Sequence, residues 1–219
     1  MSENNSSRTA ITYRYEKWRS VAAGILETAS TTFLLLIAVR YFQAGALAKG
    51  LVASGGSLGL MLGPAVVSLV AHMGWSSSRS AAALAAGGAV VALLMAALPF
   101  LPVFVVGSIL GMTATSAAIP LLTQMYHENY PDNARGKIFS KTIMIRIGVA
   151  AVFSHVAGQA FSGRIEKFQA LLLIVAAAFS LAAFSLARIP TRPLLSDKGS
   201  HPFRALRFAY HDRLFRRTL

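Results

Sequence analysis

Apolar runs of about twenty residues alternate with short polar breaks along this chain. The runs cover residues 20–39, 51–71, 81–98, 103–122, 138–162 and 170–187. Folded as helices rising ~1.5 Å per residue, they match a hydrocarbon core of ~30 Å, the shorter ones with little tilt. The longest polar break in the middle, residues 129–137, separates the fourth run from the fifth. Pro131 and Gly136 in it break helices, and Arg135 and Lys137 hold it at water, so a tight loop is predicted there. Residues 99–102 carry Pro99 and Pro102 in a turn so short that the third and fourth runs must form an antiparallel hairpin. Residues 164–167 are a second short turn. The fifth run is the least regular: Lys141 and Arg146 fall in its first three turns and must reach the interface or face protein.

Composition supports a membrane class. Of the 219 residues 55% are hydrophobic and only 13% charged, too few charges for the surface of a soluble domain of this size. Cysteine is absent, which removes disulfides and thiolate metal sites. Residues 1–19 are polar and lack the apolar core and cleavage site of a signal peptide, so they read as a cytoplasmic tail ahead of a retained first helix.

The net charge of +13 would suit nucleic acid, but its placement suits a membrane surface. Sixteen of the 21 Lys and Arg fall at the N-terminus, in the second-to-third and fourth-to-fifth connections, and after the sixth run. Four lie in the other connections, and Arg146 lies within a run. Positive residues collect on the cytoplasmic side, so both termini are expected there, and an even count of six helices agrees. Residues 188–219 form a basic linker. Within it Phe203, Leu206, Tyr210 and Leu214 recur at helical spacing, as in an amphipathic helix on an anionic leaflet. No nucleic-acid reader module is visible, and none is expected as a partner.

Small residues recur every four positions in two runs: Gly55, Gly59 and Gly63 in the second, and Ala150, Ser154, Gly158 and Ser162 in the fifth. Such stripes let helix backbones approach closely in lipid. They occupy the middle helix of each set of three, which predicts an all-α membrane protein of six transmembrane helices arranged as two inverted three-helix repeats, a transporter architecture.

Polar groups inside the runs are the candidate site. Glu27 lies about two turns into the first run and shares a helix face with Ser20, Gly24 and Thr31. A carboxylate at that depth must be paired, protonated or facing water. It either lines a cavity and binds substrate or carries a proton, or is a structural partner for Arg146 or for a backbone group. Arg146 in turn needs an anion, with Glu27 and Glu128 available. His155 is of the residue type that changes charge near neutral pH, and Gln159 shares its face. Ser108 and Thr115 share a face of the fourth run and are expected to line the same cavity as Glu27.

An enzyme is not expected. Ser57 and the His155 of Ser154-His155-Val156-Ala157-Gly158 superficially resemble the Ser and His of a rhomboid protease. Leu58 stands where that family needs Gly, and the two residues lie too far apart in run order for a nucleophile and its base. No metal-ligand cluster or phosphate-cradling glycine loop is present, so no cofactor is expected.

Taken together, the chain resembles the N-terminal six-helix half of a major facilitator superfamily transporter. The resemblance rests on six runs with both ends inside, on the loop carrying Pro131, Arg135 and Gly136, which is similar to that family's Pro-x-x-x-Arg-Gly pattern, and on the basic end leading toward a seventh helix. One departure lies between the second and third runs. Gly74 is kept, but Ala71 stands where the family has Asp, and Trp75 and Ser76 stand at basic positions. The resemblance implies alternating access around a central site, with a small-molecule solute as substrate. It implies that the two small-residue stripes form an interface awaiting the missing C-terminal half or a second copy. It also makes the chain a fragment, a truncated product or a half that dimerises.

Overall fold

The computed structural model describes residues 2–161 and 165–194, and these contain no extended strand. The α-helices in order are α1 (Ser2–Thr28), α2 (Leu34–Arg40), α3 (Ala46–His72), α4 (Ser77–Ala97), α5 (Leu101–Ala117), α6 (Ile119–Asn129), α7 (Asp132–Phe161) and α8 (Phe168–Ala187). Six segments are long and apolar enough to cross a membrane: Ser7–Arg40, Ala46–His72, Ser77–Ala97, Leu101–Asn129, Asp132–Phe161 and Phe168–Ala187. They match the six apolar runs one for one.

Two of these segments are interrupted. In the first, a π-helical turn at Ala29–Phe33 joins α1 to α2. Hydroxyls cause local competition for backbone acceptors there: Ser30 Oγ and Thr31 Oγ1 both donate to the Glu27 carbonyl, at 2.9 and 2.8 Å. In the fourth, Pro120 near the start of α6 has no N–H to continue the ladder, and the helix breaks at Ala118.

Two sequence expectations are corrected. Residues 2–19 are not a separate tail but the first turns of α1, where Thr12 and Glu16 are fully buried. Residues 129–137 are not a loop, since only Tyr130 and Pro131 leave the helices. The Pro131 carbonyl accepts from the N–H groups of Ala134 and Arg135 at 3.0 and 2.9 Å, and the missing N–H of Pro131 lies outside the new helix. Asp132 favours that N-terminus electrostatically. Arg135 bonds Asp132 Oδ1 at 2.5 Å and turns back to the Tyr130 carbonyl at 3.3 Å. Gly136 is therefore a helical residue. The residues after α8 pack back on the bundle as far as Leu194, and the amphipathic stretch 203–214 lies outside the described residues.

The turn between α3 and α4 has a defined cause. Gly74 takes φ +66°, and its N–H and that of Trp75 donate to the carbonyls of Ala71 and Val70. This is the helix ending that glycine permits because it lacks a Cβ. Residues after α8 lie across the turn: Leu194 N–H donates to the Trp75 carbonyl at 3.0 Å, and Ser78 Oγ to the Ile189 carbonyl at 2.8 Å.

Packing follows a simple pairing. α3 lies on α5, α1 on α7, and α4 on α8, with α8 also on α1 and α4 also on α5. A cluster around Ile37, Phe104, Phe168 and Leu172 fills one end. A second, around Val70, Leu121, Met125 and Ile189, fills the end that holds the start of α1. A Cβ on Gly59 would meet Thr113 O and Ser116 Cβ at 2.6 Å, and one on Gly55 would meet Ile109 Cα at 3.0 Å. The stripe of Gly55, Gly59 and Gly63 is thus filled by α5 and α6 of the same chain and is not an open interface. Ala150 lies against α1, whereas Ser154 and Gly158 are exposed. Large side chains face outward on both lateral helices, as Met61 on α3 (78% exposed) and Met144 on α7 (71%) illustrate.

Candidate functional site

Glu27 and Arg146 come together across the α1–α7 contact. Arg146 Nε lies 3.0 Å from Glu27 Oε2, but the N–H misses hydrogen-bond alignment, so the pair is a charge contact. Close backbone approach makes it possible. A Cβ on Gly24 would meet Arg146 O at 2.5 Å, and Thr28 Oγ1 donates to the Ala150 carbonyl at 3.2 Å. Both side chains stay partly open, 47% for Glu27 and 41% for Arg146.

They open onto a cavity of about 380 Å³. Arg19, Glu27, Ser30, Thr115, Ser116 and Arg146 supply its polar wall, and Leu26, Leu122, Phe179 and Leu186 its apolar wall. Along α1, Arg19 and Ser30 are separated by roughly 16 Å of helix rise, so the cavity runs from mid-bundle toward the end holding the start of α1. Its volume falls near the lower bound of small-molecule sites, roughly 300–1,000 Å³.

The sequence-predicted residues divide. Glu27, Arg146 and Thr115 line this cavity. Ser108 does not. It is buried, with a hydroxyl that has no partner among the described residues, on an adjoining void of about 30 Å³ that Ser30 and Thr115 also touch. Thr31 is exposed and spends its hydroxyl on the Glu27 carbonyl. His155 and Gln159 face outward on α7, bonded to each other at 3.1 Å. Pro131, Arg135 and Gly136 shape the α6–α7 turn, away from the cavity.

Arg19 and the cluster behind it were not anticipated from the sequence. Arg19 Nε and Nη2 hold both oxygens of Glu16 at 2.7 and 2.6 Å. The Tyr126 hydroxyl donates to Glu16 Oε1 at 2.5 Å and accepts from Arg19 Nη2 at 2.9 Å. The i,i+3 spacing of Glu16 and Arg19 was a usable signal, but the partner on α6 was not. Above this cluster, Arg8 bonds Glu128 at 2.7 Å, Arg192 N–H donates to the same Oε1 at 2.8 Å, and Asn129 Nδ2 donates to the Pro190 carbonyl at 2.9 Å. Glu128 is therefore engaged elsewhere, and Arg146 has Glu27. Burial pushes the Tyr130 phenol well above its ordinary range, helped by the nearby Glu16 charge.

Comparisons with protein-family models, curated proteins and solved structures give no match for this chain.

Proposed function

We propose that this chain is one six-helix half of a secondary transporter of the major facilitator type, moving a small solute across a plasma membrane by alternating access. Both termini face the cytoplasm in this reading, on the charge distribution of the sequence. The observation that carries it is a pair of equivalent contacts. Thr28 Oγ1 on the first segment donates to the Ala150 carbonyl on the fifth, and Thr113 Oγ1 on the fourth donates to the Gly55 carbonyl on the second. Exchanging first with fourth, second with fifth and third with sixth turns one contact into the other. The same exchange maps the α1–α8 packing onto the α4–α5 packing and leaves α4–α8 unchanged. That is the relation expected of two inverted three-helix repeats. An intramembrane carboxylate on a cavity is the second support.

The working unit pairs this half with a second six-helix unit, a C-terminal half or another copy, set against the exposed faces of α3 and α7. The protein contains no cysteine, which makes a direct test simple. Thr115→Cys, in the cavity wall, is expected to react with a membrane-impermeant thiol reagent added from either side of sealed vesicles. Labelling from one side alone overturns alternating access. A second reading, a membrane protein that transports nothing, is favoured by one fact: Glu27 and Arg146 satisfy each other's charge. It predicts no saturable solute uptake by reconstituted protein.

A further inference from the structure

We infer that the cavity recognises a small organic anion through a carboxylate, and that Arg146 is the residue that holds it; this rests on the transport reading and names its substrate class. The charge of the wall points that way. Two guanidinium groups, Arg19 and Arg146, line the cavity against one carboxylate, Glu27. Glu16, the partner of Arg19, is fully buried behind it.

The two arginines differ in what they have left to give. Arg19 is committed to Glu16 and Tyr126 through Nε and Nη2. Among the described residues, Arg146 meets Glu27 only as a charge contact through Nε, and its Nη1 and Nη2 donate no hydrogen bond. An arginine fork presents parallel N–H groups at the spacing of two carboxylate oxygens. The fork of Arg146 faces a cavity large enough for a small acid, whose apolar body would lie against Leu122 and Phe179. A cationic solute fits less well, because it would compete with Arg146 for the single carboxylate in the wall.

Glu27 then acts as a resident counter-ion. With the cavity empty it balances Arg146. A bound carboxylate shares or takes over that role, and no bond in the solute changes.

The test uses the full chain in lipid nanodiscs and radiolabelled benzoate, with glucose as neutral probe and tetraphenylphosphonium as cationic probe. Benzoate is expected to bind saturably. Arg146→Gln is expected to weaken it roughly ten- to hundredfold, the worth of hydrogen bonds to a charged group. Arg146→Lys keeps the charge but loses the fork, and should fall between. Helical circular dichroism and gel-filtration elution report whether each variant is folded. Should Arg146→Gln be misfolded, Arg146→Lys decides alone: binding equal to wild type overturns the assignment. Wild-type affinity in a folded Arg146→Gln does the same. If glucose or tetraphenylphosphonium crosses proteoliposome membranes saturably while benzoate neither binds nor crosses, the carboxylate assignment falls and the transport reading stands. If none of the three binds or crosses, both fall.

Discussion

Arg146 and Glu27 face each other at 3.0 Å from two helices that meet where Gly24 leaves no room for a side chain. The pair is half open to the cavity, so solvent weakens it and it contributes little rigidity. A pair sealed from water would resist exchange with a solute, because breaking it would strand a buried charge.

Glu27→Gln keeps the shape of the side chain and removes the carboxylate that the sequence offers as carrier of a coupling proton. In proteoliposomes with an imposed proton gradient, the variant is expected to equilibrate solute without concentrating it, at unchanged expression. An accumulation ratio equal to wild type would remove Glu27 from coupling.

The Glu16–Arg19–Tyr126 cluster behaves as a unit. Glu16→Gln leaves Arg19 without its counter-ion and should lower stability by about 3–5 kcal/mol. Tyr126→Phe, which removes one donor and one acceptor, should cost about 1.5–3 kcal/mol. Denaturant unfolding in micelles should give a double-variant loss clearly smaller than the sum of the two, because both changes break one network. Additive losses would mean the three side chains do not act together.

Gly59→Ala places a methyl 2.6 Å from the Thr113 carbonyl oxygen and the Ser116 Cβ. The α3–α5 contact must open, at an expected loss of about 1–3 kcal/mol. Gly87→Ala in α4 meets nothing within 4 Å and should be neutral or stabilising by up to about 1 kcal/mol, through helix propensity. Thermal melting of the two variants side by side checks this; equal melting temperatures would deny the close contact.

Tyr130 lies in the α6–α7 turn with a buried hydroxyl that has no hydrogen-bond partner among the described residues. Its raised phenol pKa means the fold favours the neutral form. Above the unfolded value of about 10 the unfolded chain ionises while the folded one does not, so stability falls as pH rises further. Tyr130→Phe should be neutral or slightly stabilising at pH 7 and should blunt the alkaline loss. A variant that melts several degrees lower at neutral pH would show that the hydroxyl is bonded.

Helix number and order were legible because lipid-length apolar runs leave little freedom in their reading. The ends of those helices were not. Asp132 through Lys137 look like loop by composition, yet Asp132 and Arg135 are residues that start a helix and close the one before it. The first turns of α1 look like a tail because their buried face is polar: Thr12 and Glu16 are fully buried there, and Glu16 is met by Arg19 and Tyr126 rather than by an apolar core. The site was half legible. Intramembrane charge singled out Glu27 and Arg146, since an ionisable residue among apolar neighbours needs a reason. His155 and Gln159 carried the same signal but lie on the outer face of α7, and helical spacing within one segment cannot tell which face meets the cavity. The stripe of Gly55, Gly59 and Gly63 correctly implied close approach, while the identity of the neighbour, α5, depends on how the six segments are arranged.

The strap from Ile189 to Leu194 has a mechanical consequence. Its anchors are Trp75, Ser78, Glu128 and Asn129, on the α3–α4 turn, α4 and α6. A pull applied beyond Leu194 is thus delivered to those elements before it reaches α8. Tension on the basic end of the chain would be felt on α6, which carries Leu122 of the cavity wall, while the helix that leads directly into that end is shielded from it.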